Sequence, residues 1–299
     1  MSTRKTLIRY NKILKSLKAS PKTFEELKDI LERQSEDYGD DLSVSKRTFQ
    51  RDMNDILSIF KIEIDFNHHI KKYEIKTEDL EVSNRMLEAF NLFEVLSSTE
   101  KVQEYIYFDS YIETGEQYLQ KIVQAIQQKK VLNFTYQKYW ITDVSNRQLE
   151  SYAIRLFKKR WYLIGKDLKD KQIKTFGIDR MSDLAIVNQK YTIPKDFSVQ
   201  KMFENSFGII SKERPNDTVE KVILQLEPTQ GKYIKSLPLH PSQKVIADQP
   251  DYLLISLELY ITFDFVKEIL SMGNLVKIIQ PQSLIKQVKS NLQQALEQY

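Results

Sequence analysis

The 299-residue chain reads as a multidomain α+β protein, and three observations predict that class. Before Lys61, three consecutive segments repeat apolar residues every three or four positions, the period of amphipathic helices. From Val131 to Gln189 the period shortens to two in five short segments, which suggests a small barrel or a strongly bent sheet. From Val219 onward the order is βαββαβ plus a last helix, the ferredoxin-like plan.

The first helix carries Leu7, Tyr10, Ile13, Leu14 and Leu17 on one face, and Pro21 ends it. Thr23-Phe24-Glu25-Glu26 is a capping box: the Thr23 hydroxyl reaches the Glu26 amide, and the Glu26 carboxylate reaches back. Phe24, Leu27, Ile30 and Leu31 give a second helix its apolar stripe. After a polar connection from Arg33 to Asp41, Ser45 caps a third helix with Phe49, Met53, Ile56, Leu57 and Phe60 on its apolar face.

That face leaves Lys46, Arg47, Gln50, Arg51 and Asn54 outside. These side chains suit bases and phosphates, and they sit on the first turns, where a helix N-terminus also attracts phosphate. Ile62, Ile64 and Phe66 then alternate, Asn67 to His69 offer a turn, and Tyr73 and Ile75 resume the alternation. This predicts a hairpin with Lys71 and Lys72 on its return strand. Three helices and a hairpin are the winged helix-turn-helix arrangement, whose third helix enters the major groove. An ordinary small helical domain with a charged surface is the alternative. The basic residues gathered on the third helix and the hairpin argue against it.

The net charge is only +4, but it is unevenly spread. Residues 1–22 carry Arg4, Lys5, Arg9, Lys12, Lys15, Lys18 and Lys22 without an acid, residues 23–41 are acidic, and residues 42–51 return Lys46, Arg47 and Arg51. Such blocks are solvated faces, or a nucleic-acid footprint where the fold gathers the bases on one side.

The counts exclude several chemistries. There is no cysteine, which removes thiol nucleophiles, disulfides and cysteine metal sites. The seven glycines lie too far apart to write either glycine-built phosphate cradle. The three histidines are His68, His69 and His240; the first two are adjacent and poorly placed to grip one metal. No triad spacing appears, so an enzyme is not expected, nor is a cofactor. No apolar run approaches a membrane span and no signal peptide is visible, so the expectation is a cytoplasmic protein without a membrane partner.

Between the modules, residues 83–98 and Gly115 to Lys130 read as helices, a packed connector or a source of dimer contacts. The strand region is rich in binding chemistry. Tyr136, Tyr152, Trp161, Tyr162 and Phe176 supply flat faces, and Arg155, Arg160 and Arg180 supply forked donors, a set suited to a nucleobase with its phosphate. Most of these aromatics are expected to fill a core instead.

Three motifs carry a family resemblance. Ser43-Val44-Ser45-Lys46-Arg47-Thr48-Phe49-Gln50-Arg51-Asp52 resembles the recognition-helix signature of bacterial winged-helix transcriptional regulators. Arg160-Trp161-Tyr162-Leu163-Ile164-Gly165, with Phe134-Thr135-Tyr136 before it and Lys174-Thr175-Phe176-Gly177-Ile178-Asp179-Arg180-Met181 after it, resembles the WYL-domain family. Tyr233 to Gln243 is similar to a motif of the extension that follows WYL domains, so the resemblance covers essentially the whole chain.

The resemblance implies a DNA-binding regulator in which an Sm/SH3-like barrel senses a nucleotide or nucleic acid. It implies DNA contacts from Arg47, Thr48 and Arg51; with the exposed neighbours and the hairpin, the DNA-binding set is Lys46, Arg47, Thr48, Gln50, Arg51, Lys71 and Lys72. Asp52 reads instead as an ion-pair or packing residue. The ligand set is Tyr136, Tyr152, Arg155, Trp161 and Arg180. Two departures stand out: Ser151-Tyr152 where many members have Pro-Tyr, and Gly177 where many have arginine, which removes one basic contact.

The domains expected are 1–78, the winged helix-turn-helix; 79–117, a helical linker; 118–195, the WYL ligand sensor; and 196–299, the extension. The expected partners are a double-stranded operator, the ligand and a second copy of the chain. The alternative is an accessory protein that binds single strands and modulates an effector enzyme.

Overall fold

The computed structural model describes residues 3–38, 41–76, 80–96, 106, 115–139, 144–212 and 216–299, and is mixed α/β with several sheets. The chain divides into two compact units, Met1–Ser110 and Tyr111–Tyr299.

The first unit opens with α1 (Thr3–Ala19), α2 (Phe24–Tyr38) and α3 (Lys46–Phe60), followed by the strands β1 (Ile64–Asn67) and β2 (Lys72–Ile75) and by α4 (Leu80–Leu96). The starts of α2 and α3 follow the expected capping chemistry. Thr23 N donates to Glu26 Oε2 at 2.6 Å and Glu26 N to Thr23 Oγ1 at 3.1 Å, both arms of the capping box. Ser45 Oγ accepts from Thr48 N at 3.2 Å at the start of α3. Tyr10, Ile13, Leu14, Leu17, Leu27, Leu31, Phe49, Met53, Ile56 and Phe60 share one core, to which α4 adds Leu87.

Three details of this unit differ from the sequence reading. Leu57 is exposed, because it lies a hundred degrees around α3 from Ile56 and the core takes a narrower stripe. Arg9, one of the N-terminal basic block, is wholly buried. Lys71 lies in the hairpin turn, not on the return strand, which Lys72 begins.

The second unit begins with a short 3-10 turn and α5 (Leu119–Gln128), then β3 (Lys130–Gln137), β4 (Val144–Phe157), β5 (Arg160–Asp167), β6 (Ile173–Gly177) and β7 (Met181–Lys190). All neighbouring strands are antiparallel in the order β6-β5-β4-β3-β7. Bulges in β3 and β4 bend the sheet. After Gly177 the chain enters a 3-10 turn at Ile178–Arg180, so the fourth strand is shorter than the alternation suggests. Among the described residues no pairing joins β6 to β7, and the sheet stays open where a closed barrel was expected.

After α6 (Val199–Phe203) come β8 (Glu220–Leu226), α7 (Pro228–Ser236), β9 (Lys244–Asp248), β10 (Leu253–Leu259), α8 (Phe263–Ser271), β11 (Val276–Gln280) and α9 (Gln282–Leu296). The four strands form a second antiparallel sheet in the order β11-β8-β10-β9. Val222, Leu224, Leu226, Ile255, Leu257 and Leu259 point to one side of it and pack with Phe265, Ile269 and Leu284. Among the described residues no helix is long and apolar enough to cross a membrane.

Candidate nucleic-acid and ligand sites

On α3 the burial pattern turns one polar face outward. Lys46, Arg47, Gln50, Arg51 and Asn54 are exposed, and Thr48 is half-buried with its Oγ1 3.0 Å from Ser45 Oγ. Of the hairpin lysines, Lys71 is exposed at the turn, whereas Lys72 Nζ lies 3.3 Å from Glu26 Oε1. Asp52, at 0% exposure, faces inward and pairs with Arg9 at 2.6 Å. The reading of Asp52 as an ion-pair residue therefore describes its place.

In the five-stranded sheet, register decides which binding residues meet. Ile154, Leu163 and Phe176 are cross-strand partners, and all three pack in the sheet's core. One position along, Arg155, Tyr162 and Gly177 are partners, so their side chains face the other way. Gly177 has none, and the guanidinium of Arg180 occupies that place: a Cβ there would lie 2.5 Å from Arg180 Nη2. The result is a row of Arg155, Tyr162 and Arg180 on one face of the sheet.

The row is bounded by further polar groups. Arg180 lies 5.4 Å from the Tyr136 ring centroid and 5.5 Å from that of Tyr139. The Gly177 amide donates to Tyr136 OH at 3.3 Å. The Asp179 carboxylate takes hydrogen bonds from Tyr139 OH, at 3.1 Å, and from Arg160 Nη1. Arg180 Nε and Asp179 Oδ1, 3.8 Å apart, are both buried without a hydrogen-bond partner among the described residues. Among the described residues, the guanidinium groups of Arg160 and Arg180 and the carboxylates of Asp179 and Asp264 all act on Tyr162, at the centre of the row.

Arg155 approaches the elements that follow the sheet, stacking over the Phe203 ring at 4.2 Å. It forms no ion pair among the described residues, and burial pushes its pKa down. Burial also raises Tyr162, against the pull of Arg160 and Arg180, and raises Tyr136. Both hydroxyls therefore stay protonated at neutral pH and are available as donors. At the hairpin tip Lys158 pairs with Glu268 of α8, and Phe157 packs edge-on to Phe207 at 5.8 Å.

Three predicted ligand residues stand outside the row: Tyr136, buried in the sheet's core at its border, Trp161 and Tyr152. Trp161 has the parity of Leu163 and turns to the core, where its Nε1 is buried without a partner. Tyr152 belongs to a separate cluster with Tyr191 and Phe197, ring centroids 5.8 and 4.8 Å away, and its hydroxyl donates to Glu150 at 2.9 Å. Tyr162, outside the expected ligand set, lies in the row. Its signal was the strand parity with Arg155, legible only once the register of the two strands is known. Among the described residues no group of three or more metal-ligating side chains is gathered.

Residues 117–186 match the WYL domain and residues 218–296 the WCX domain. No curated protein matches the chain. Among solved structures the chain is similar to proteasome accessory factor B/C (PafBC) of Arthrobacter aurescens, with 20% identity over 97% of this chain and 46% of that chain and a TM-score of 0.37. It thus spans about half the length of that protein. It is also similar to a CRISPR Cas-related protein, with 12% identity over 98% of this chain and 83% of that chain and a TM-score of 0.42.

Proposed function

We propose that this chain, with a WYL domain at residues 117–186 and a WCX domain at residues 218–296, is a transcriptional regulator that binds operator DNA and senses a nucleotide or nucleic acid. The observation that carries the reading is the outward face of α3, where Lys46, Arg47, Gln50 and Arg51 are exposed while the helix's one wholly buried acid is paired. Three helices followed by a hairpin support a winged helix-turn-helix for this unit, with α3 in the major groove. Arg47 and Arg51 have the length and the forked donors to meet guanine edges, and Lys46 and Lys71 suit phosphate.

The ligand reading is supported by the row of Arg155, Tyr162 and Arg180. An anion takes the guanidinium groups of Arg155 and Arg180. The strand order β11-β8-β10-β9 supports a ferredoxin-like plan for the last module. Ligand binding alters operator affinity to the extent that the DNA-competent state and its alternative hold the ligand differently. We further read the regulator as a cytoplasmic homodimer without enzymatic activity, whose two α3 helices lie one turn of DNA apart on a pseudo-palindromic site.

The test is to sequence the genomic DNA retained by the purified protein, with and without nucleotides, and to footprint the enriched duplex. A defined protected duplex whose occupancy changes with nucleotide is the expected result. Preference for single strands over every duplex would replace this reading with that of an accessory protein.

A further inference from the structure

Helix α3 carries acids on the flank beside its exposed bases. Asp52 and Asp55 lie three residues apart, and Asp55 follows Arg51 by four, the spacing at which helical side chains meet. Left to itself, Asp55 would pair with Arg51, and its charge would repel a phosphate brought up to that face.

Consecutive residues of α1 take both acids. Arg9 donates through Nε to Asp52 Oδ2 at 2.6 Å and through Nη2 to Asp52 Oδ1 at 2.9 Å, and both side chains are at 0% exposure. Tyr10 OH donates to Asp55 Oδ2 at 2.7 Å, from a side chain buried to 2% exposure. Arg51 is exposed and has no ion-pair partner among the described residues.

The two bonds do what packing alone does not. Phe49, Met53, Ile56 and Phe60 hold α3 against the core, but apolar contact has no preferred direction. A forked, charge-assisted pair has one, and a second bond one turn further along α3 fixes both the rotation of the helix and its slide along α1.

We propose that Arg9 and Tyr10 are positioning residues for the DNA-reading helix: Arg9 sets its rotation through Asp52, and Tyr10 holds Asp55 away from Arg51. The inference rests on the DNA-binding reading above. It also assigns Arg9, buried within the basic N-terminal block, a role other than touching phosphate.

The experiment uses the full chain and the duplex recovered from retained genomic DNA, with a scrambled duplex as control. Affinities are measured for Tyr10→Phe, Asp55→Asn and the double variant. Tyr10→Phe is expected to lose roughly tenfold in operator affinity, the scale of one compromised arginine–base contact, while melting within a few degrees of wild type. Asp55→Asn is expected to bind at least as tightly as wild type, and the double variant to recover. A Tyr10→Phe protein that binds like wild type, or a double variant as weak as Tyr10→Phe, would overturn the Tyr10 role.

For Arg9, the pair is replaced together by Arg9→Met and Asp52→Leu, since an apolar pair of similar volume commonly keeps or raises stability where a single truncation does not. The expected result is a folded protein whose preference for operator over scrambled duplex falls by roughly tenfold. An unchanged preference overturns the Arg9 role. So does a double variant that fails to fold while Arg9→Lys, which keeps the charge and loses the fork, discriminates like wild type. A wild-type protein with no preference among duplexes would instead overturn the DNA-binding reading, and this inference with it.

Discussion

The guanidinium of Arg180 rests against the bare Cα of Gly177. A Cβ at that position would come within 2.5 Å of Arg180 Nη2 and 2.6 Å of Asp179 Oδ1. The backbone there is extended, with φ −67, so glycine is required for space and not for conformation. The position stays bare, and the guanidinium that fills the space beside it comes from three residues further along.

Gly177→Ala therefore displaces Arg180 or Asp179. We expect a stability loss of about 1–3 kcal/mol from overpacking, read by thermal denaturation. Ligand affinity should fall with it, and adding Arg180→Ala should cost little more. Fully additive effects on ligand binding would show that the glycine acts independently of Arg180.

Arg155 tests the other end of the row. Arg155→Ala should weaken an anionic ligand by about 1.5–3 kcal/mol, as expected for one lost charged hydrogen bond. Arg155→Lys should recover only part, because it keeps the charge without the guanidinium that lies over Phe203. Calorimetric titration with nucleotides separates the two, and equal affinity for all three proteins would place the ligand elsewhere.

On the DNA side, Arg47→Ala and Arg51→Ala should each cost about 1–3 kcal/mol of operator affinity if the side chain meets a base edge. Lys46→Ala should instead lower affinity for all duplexes alike and flatten the salt dependence. A gel-shift titration at several salt concentrations distinguishes these patterns.

His240 predicts a pH dependence. The ring is buried, and that burial lowers its pKa below the ordinary histidine value; a hydrogen bond to the Glu204 backbone opposes the shift and the Arg155 charge adds to it. The unfolded chain then takes up the proton more readily, so stability must fall as pH drops through about 6.5 and below. Ser242 N donates to His240 Nδ1 at 3.2 Å, which leaves the neutral ring's proton on Nε2. Melting curves between pH 7 and pH 5, with His240→Gln as the flattened control, measure the effect.

Lys129 closes α5 in the left-handed region, with φ 51, and its amide donates to the carbonyls of Ala125 and Ile126. Lys129→Gly relieves a non-glycine residue there and should stabilise the second unit by about 1 kcal/mol. Its melting temperature should rise by about 2–4 °C. Lys129→Val should lower it.

What could be read from the residues alone was what short-range chemistry controls. The caps at Thr23 and Ser45, the apolar stripes of α1 to α3, the hairpin and the strand alternation each depend on neighbours within a turn or two. Such local signals are enough to single out the outward face of α3. Tertiary structure decided what depends on pairing across the chain. Arg9 looks like one more surface base until a carboxylate 43 residues away takes it into the core. Trp161 and Tyr162 are adjacent and equally aromatic, yet a strand sends neighbours to opposite faces, and only the register with Arg155 shows which one reaches the row. Five alternating segments suggested a small barrel or a strongly bent sheet, and among the described residues the sheet is open, with β6 and β7 at its two edges. Alternation reports that a strand has two sides; it carries no information about what each side meets.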